Sequence, residues 1–302
     1  MTTEDSPVEQ DTDLLPVLIT EFLVISIINA ITLIAFARIR HLRKRSTYLI
    51  INLTVADLLL GAVAGPLYLD HTRNGNPHFS WPGFLSWAVK LTFLIASPVN
   101  LSLISLERLH ATLFPFRHCL IGKWLYFKII IGNWFITLLL GSVIAGLHLN
   151  EPLSALAYAW ASFSVVTLLV LAVSYVIIIL NVQRSPHSQN VPALHTERKL
   201  SVTLFIVTGV SVLTILPWGI FKSMPGDIRD KWAKAASVKL HDMLAVVYFA
   251  HSIVNPLVYA IRMQEFRNAL GNLISGQRQA EQRRQARAER KRARRLQPEI
   301  ML

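Results

Sequence analysis

Apolar residues in this chain run in seven long blocks parted by short polar stretches, at about 15–39, 47–69, 84–110, 124–148, 154–182, 198–221 and 240–261. Each block is near the ~20 residues that a helix needs to cross a hydrocarbon core. Lipid offers the backbone no hydrogen-bond partners, so a crossing segment must bond to itself, and helix is the economical solution. The pattern therefore predicts an all-α membrane protein built as a seven-transmembrane helix bundle. After the last block, Met263, Phe266, Leu270, Leu273 and Ile274 recur at helical spacing, which predicts a short amphipathic helix on the membrane surface over 263–275. The expected organisation is an extracellular tail 1–14, the bundle 15–262, that surface helix, and a basic, disordered cytoplasmic tail 276–302.

Composition supports this reading. Of 302 residues, 53% are hydrophobic and only 16% charged, too apolar for an ordinary soluble domain. The net charge of +12 raises nucleic acid as a partner, but the apolar bulk points instead to the anionic inner leaflet, and no nucleic-acid partner is expected. With the N-terminus outside, 23 of the 30 Lys and Arg fall on the cytoplasmic side, which sets that orientation by the positive-inside rule. The first 13 residues carry five acids and no base, so helix one is expected to act as its own insertion signal. Cys119 is the single cysteine and allows no intrachain disulfide.

Polar residues inside the spans need a reason, because an ionisable group in lipid is costly. Asp57 in "NLTVADLLLG" is either a charge satisfied by neighbouring helices or an ion and switching site. Glu107-Arg108 at the end of span three is, taken alone, an end-cap that snorkels to the interface. Pro217 and Asn255-Pro256 each remove a backbone donor inside a helix and create a break.

Taken in order, Asn29, "NLTVAD" (52–57), Trp81 in an outer loop, "ERL" (107–109), Pro115, Trp134, Tyr175, Pro217 and "NPLVY" (255–259) are more specific than any one of them. The chain resembles the class A, rhodopsin-like G-protein-coupled receptors from about residue 15 to 275. The resemblance implies a plasma-membrane receptor that couples an extracellular ligand to a heterotrimeric G protein, with no catalytic residues. Arg108 would meet the G protein once released from Glu107 and Glu197. Phe116 would insert into the G-protein surface, and Tyr175, Asn255, Pro256 and Tyr259 would take part in the switch. Asp57, Ser97, Ser252 and Asn255, with Asn29, match a mid-membrane sodium pocket, for which a water-filled polar network is the alternative. No other cofactor is implied.

Several positions depart from the family pattern. Gly83 stands where a disulfide cysteine is common, and the loop around "HLNEP" is short. Thr167 replaces a helix-five proline, and Pro98, Ser211 and Ile215 replace the bulky relay between pocket and cytoplasmic end. Resting and active states are accordingly expected to lie close in energy, with basal activity. The short outer loop and missing proline resemble the melanocortin, cannabinoid and lysolipid branch. Phe249 occupies the position of the retinal lysine in opsins.

Lys90 stands where amine receptors carry an aspartate, so an anionic or lipid-like ligand is favoured, with apolar walls from Trp87, Leu91, Leu94, Tyr68, Trp218 and Phe249. The alternative is an internal ion pair of Lys90 with Asp70 or Asp242. The tail has few hydroxyls, which makes arrestin a poor partner, whereas membrane lipids are expected ones. Asn52 and Asn100 lie in glycosylation patterns inside spans and are discounted. The competing functions are a non-signalling or ligand-independent heptahelical protein, as decoy or scaffold, and, more distantly, a small transporter, for which the paired half-sequences are missing.

Overall fold

The computed structural model describes residues 14–38, 47–74, 80–150, 153–184, 192–224, 228, 231, 239–262, 266–268 and 271. Each apolar block forms a helix. Helix α1 spans Leu15–Arg38, α2 spans Thr47–Leu59, a π-helical turn occupies Leu60–Ala64, and α3 continues over Gly65–Asn74. Then come α4 (Trp81–Leu113), the short α5 (Pro115–Leu120), α6 (Lys123–Asn150), α7 (Leu153–Arg184), α8 (Pro192–Ser223), α9 (Lys239–Phe249) and α10 (His251–Arg262). With α2 and α3 counted as one rod and α9 and α10 as another, the molecule is a bundle of seven rods. Six of these are long and apolar enough to cross a membrane among the described residues, and α8 is the seventh.

Helix α4 is the central rod and packs against α2, α6, α7 and α8. Its start is set by Ser80, whose hydroxyl accepts from the backbone N–H of Gly83 at 3.2 Å. Trp81 therefore belongs to the first turn of α4 and is not in an outer loop, a correction to the sequence reading. At the other end α4 runs to Leu113, a turn further than the apolar block indicated. Close approach of α6 is made possible by Gly141, where a Cβ would lie 2.8 Å from the Thr92 backbone nitrogen. The core divides into two clusters. One, around Phe22, Leu91, Leu94, Trp218 and Phe249, lies at the Lys90 end, and the other, around Phe36, Leu53, Leu101, Tyr126 and Tyr259, at the Arg108 end. Apolar side chains also cover the outside of the rods, as at Leu23, Ile27 and Ile131. That outward face suits acyl chains rather than water.

The prolines explain two contacts that tie the rods together. Pro98 cannot donate to the carbonyl of Leu94, four residues back. The hydroxyl of Tyr248 on α9 donates to that carbonyl at 2.7 Å. In the same way Pro256 leaves the Ser252 carbonyl unserved within α10, and Asn29 of α1 donates its amide to it at 3.1 Å. Each broken backbone bond is thus replaced by a side chain from another rod, as a low-dielectric interior requires.

The π turn inserts one extra residue per turn into the second rod and changes the facing of everything beyond it. Gly61, within it, lies so close to α1 that a Cβ would sit 2.6 Å from Ser26 Oγ. Beyond the turn, His71 of α3 reaches Lys90 of α4. In the described part of the segment after α10, Phe266 is buried against Phe36 and Tyr259, with centroids 5.4 and 6.4 Å away. The other apolar positions of the expected surface helix, and the tail 276–302, fall outside the described residues.

Candidate functional site

The residues singled out above gather in three layers along the bundle. At mid-depth Asp57 of α2 is wholly buried. Its Oδ1 accepts from Ser97 of α4 at 2.5 Å and from Ser252 of α10 at 2.8 Å, and its Oδ2 accepts from Asn255 at 2.7 Å. Ser211 of α8 reaches Asn255 Oδ1 at 3.4 Å, so the cluster touches four rods. His251 joins it: Nε2 lies 3.2 Å from Ser252 Oγ, and Nδ1 bonds the Tyr248 carbonyl. These partners account for a carboxylate without solvent. A cation's fit is testable on one atom: Asn29 Oδ1 is buried and has no hydrogen-bond partner among the described residues. The Asp57 carboxylate and the Ser97 and Ser252 hydroxyls are oxygen donors of the kind a small hard cation takes, and Asn29 is tied to the same place by its bond to the Ser252 carbonyl.

The second layer holds Arg108, whose side chain is fully buried. Its Nε and Nη2 donate to the two carboxylate oxygens of Glu107, both at 2.5 Å, a two-pronged pairing. A side chain this buried does not fit the end-cap reading, in which the guanidinium reaches out to water. Glu107 also accepts from the Tyr126 hydroxyl of α6 at 3.0 Å, and His118 Nε2 of α5 lies 3.3 Å away. Nearby, the Tyr175 hydroxyl lies 2.7 Å from Thr208 Oγ1, joining α7 to α8. Tyr259 is buried, and its hydroxyl has no partner among the described residues. Phe116 on α5 is 88% exposed, with Leu120 and Trp124 similarly bare, so this end presents an apolar surface. Glu197 lies on α8, but its side chain is outside the described residues.

Between these layers a chain of amides links three rods. Trp134 Nε1 donates to Asn52 Oδ1 at 2.9 Å, and Asn52 donates to Asn100 Oδ1 at 2.5 Å. Both asparagines are buried, consistent with discounting them as glycan acceptors.

In the third layer Lys90 is buried, with its Nζ 2.8 Å from His71 Nδ1 and 3.2 Å from the centre of the Trp87 ring. An ammonium can only donate, so His71 accepts at Nδ1. Its Nε2 then carries the proton and faces Ser86 Oγ at 3.0 Å. Among the described residues Lys90 pairs with neither Asp70 nor Asp242; Asp242 instead meets His241 at 3.1 Å, and His241 meets Lys222 at 3.2 Å. The ion-pair alternative is thereby corrected. Tyr68, Leu91, Leu94, Trp218 and Phe249 do come together here with Trp87, packed within one core cluster.

Participants that escaped the sequence reading include His71, Tyr126, His118 and Tyr248. For Tyr248 a signal existed, because Pro98 strands a carbonyl that needs a donor. For His71 none did, because its facing depends on the π turn.

Comparison with known proteins agrees with the helical bundle. The chain is 24% identical to 5-hydroxytryptamine receptor 6 of Rattus norvegicus over 77% of its own length and 64% of the receptor's, so it spans less than two thirds of that relative. It is 22% identical to trace amine-associated receptor 7h of Rattus norvegicus, over 82% of this chain and 78% of the other. With lysophosphatidic acid receptor 2 of Homo sapiens identity is 26%, covering 85% and 78%. The profile of the family described as 7 transmembrane receptor (rhodopsin family) matches residues 28–259. The chain is a multi-pass membrane protein of that family, a rhodopsin-like G-protein-coupled receptor.

Proposed function

We propose that the protein is a plasma-membrane receptor, with its N-terminus outside, that answers an anionic, lipid-like ligand by releasing Arg108 to a heterotrimeric G protein. The observation that carries the reading is the buried two-pronged Glu107–Arg108 pair beside an exposed apolar surface at Phe116. A buried guanidinium paired with the adjacent carboxylate is strongly favoured while paired and strongly penalised if its partners are lost without a replacement. A G-protein acceptor group can supply the replacement.

The ligand class rests on Lys90. Its ammonium is served by a neutral imidazole and an aromatic face, which leaves the positive charge uncompensated by any carboxylate among the described residues. A carboxylate or phosphate on the ligand would compensate it, and the surrounding aromatics would hold an apolar remainder. One relative is by its name a receptor for lysophosphatidic acid, an acidic lipid. Others are named for amines, but an amine would face repulsion at Lys90. Sodium is proposed at Asp57, held by that carboxylate with Ser97, Ser252 and Asn29, where it would neutralise the buried charge.

The test is G-protein activation in cells that express the receptor, against lysophosphatidic acid, serotonin and histamine. Activation by the acidic lipid is expected. In Lys90→Gln its potency should fall by the equivalent of about 1.5–3 kcal/mol, the range for a charged hydrogen bond, and Lys90→Arg should keep most of it. An amine that activates equally in wild type and Lys90→Gln contradicts the ligand class. Activation that survives in Arg108→Ala contradicts the coupling role.

A further inference from the structure

A slot of 370 Å³ runs between α7 and α8 and ends on Pro98 of α4. It is lined by none of the ligand-layer residues and is a separate place from the Lys90 layer. Its outer lip includes Val165 and Ile220, 54% and 51% exposed, which lie on the apolar face that meets lipid. The slot is therefore open sideways, to the bilayer.

Its shape and chemistry narrow the occupant. Lining residues of α8 extend from 212 to 223, about 16 Å at 1.5 Å per residue, so the slot is elongated along the helix. The wall is apolar. Two of its hydroxyls are already engaged, Thr167 donating to the Phe163 carbonyl at 2.8 Å and Ser223 to the Gly219 carbonyl at 2.7 Å. A polar ligand would lose its hydration there with only the Ser164 hydroxyl in return. A hydrocarbon chain leaving the adjacent bilayer loses no hydration, and gains contact with a surface denser than lipid.

We propose that this slot binds an extended hydrocarbon chain drawn from the bilayer, supplied by the tail of a phospholipid or by a free fatty acid. Seated there, the chain touches α4 at Pro98 and α8 at Ile215, two residues before Pro217, so it sits against two helices whose backbone ladders proline interrupts.

The experiment uses the full-length receptor in phosphatidylcholine nanodiscs. One arm contains phosphatidylcholine with a diazirine in its tail, the other palmitic acid carrying the same group. After irradiation, labelled positions are read by peptide mass spectrometry. Labelling at 161–171 and 212–223 is expected to exceed that of the lipid-facing α6 residues Ile131, Leu138 and Leu139 by about tenfold, a preference of ~1.4 kcal/mol. The arm that gives the excess names the source. Gly219→Leu fills the slot and should remove the excess while α6 labelling stays constant. If that variant is not monodisperse, Leu168→Trp obstructs the same space from α7. Slot labelling no greater than that of α6 in both arms, or an excess that survives the filling variant, overturns the proposal. Labelling needs no signalling, so its failure leaves the Arg108 and Lys90 readings standing.

Discussion

At the scale of single residues, the decisive question is what serves each buried polar atom when water cannot. Tyr248 serves the carbonyl freed by Pro98, and Tyr248→Phe should cost about 1–3 kcal/mol, the penalty for stranding a buried acceptor. The check is the thermal unfolding midpoint of purified receptor. An unchanged midpoint would mean that the Leu94 carbonyl finds another donor. Asp57 yields a second prediction. If its cluster holds sodium in the resting state, sodium chloride should lower agonist affinity relative to choline chloride, and Asp57→Asn should abolish the difference. Agonist must then weaken sodium binding by the same factor. Affinity insensitive to the cation in wild type would leave only a hydrogen-bonded polar network. Asp57, Ser97, Ser252 and Asn255 were legible in the sequence through the family resemblance, which gives each a place on its helix. Tyr126 and His118 were not, since their contact with Glu107 depends on how α5 and α6 return beneath α4.

At the scale of elements, seven apolar blocks became seven rods because lipid leaves the backbone little choice. The ends were less legible. Helix α4 begins at Trp81 because Ser80 caps it, a polar signal that a count of apolar residues overlooks. The π turn at 60–64 left no mark in the pattern at all; it coincides with the close approach of Gly61 to α1, a tertiary contact. Contacts between rods can be tested through glycines. Gly141→Val should overpack the α4–α6 contact and destabilise by roughly 1–3 kcal/mol. Gly132→Ala, where an added methyl meets no atom within 4 Å, should be neutral or slightly stabilising through helix propensity. Equal unfolding midpoints for the two variants would show that α4 and α6 are not in close contact at Thr92.

At the scale of the whole molecule, the three layers imply two states of one bundle. Asp57 joins α2, α4 and α10 at the centre, and Glu107 joins α4, α5 and α6 at one end. Pro98 and Pro256 interrupt rods beside the Asp57 cluster, and Pro217 interrupts α8 toward the Lys90 end. The sequence showed the breaks but not their repair by Tyr248 and Asn29, which requires knowing which rods are neighbours. We propose that resting and active states lie close: a gap of ~1.4 kcal/mol leaves roughly a tenth of the molecules active without ligand. The most direct measurement of the central claim is ligand-free guanine-nucleotide exchange on purified G protein by receptor reconstituted in nanodiscs, compared among wild type, Glu107→Gln and Arg108→Ala at equal receptor density. Wild type should show detectable exchange, Glu107→Gln a severalfold rise because the carboxylate no longer holds the guanidinium, and Arg108→Ala none. Exchange that is the same in all three would contradict the central claim, because the Glu107–Arg108 pair would then be a structural contact with no part in the switch.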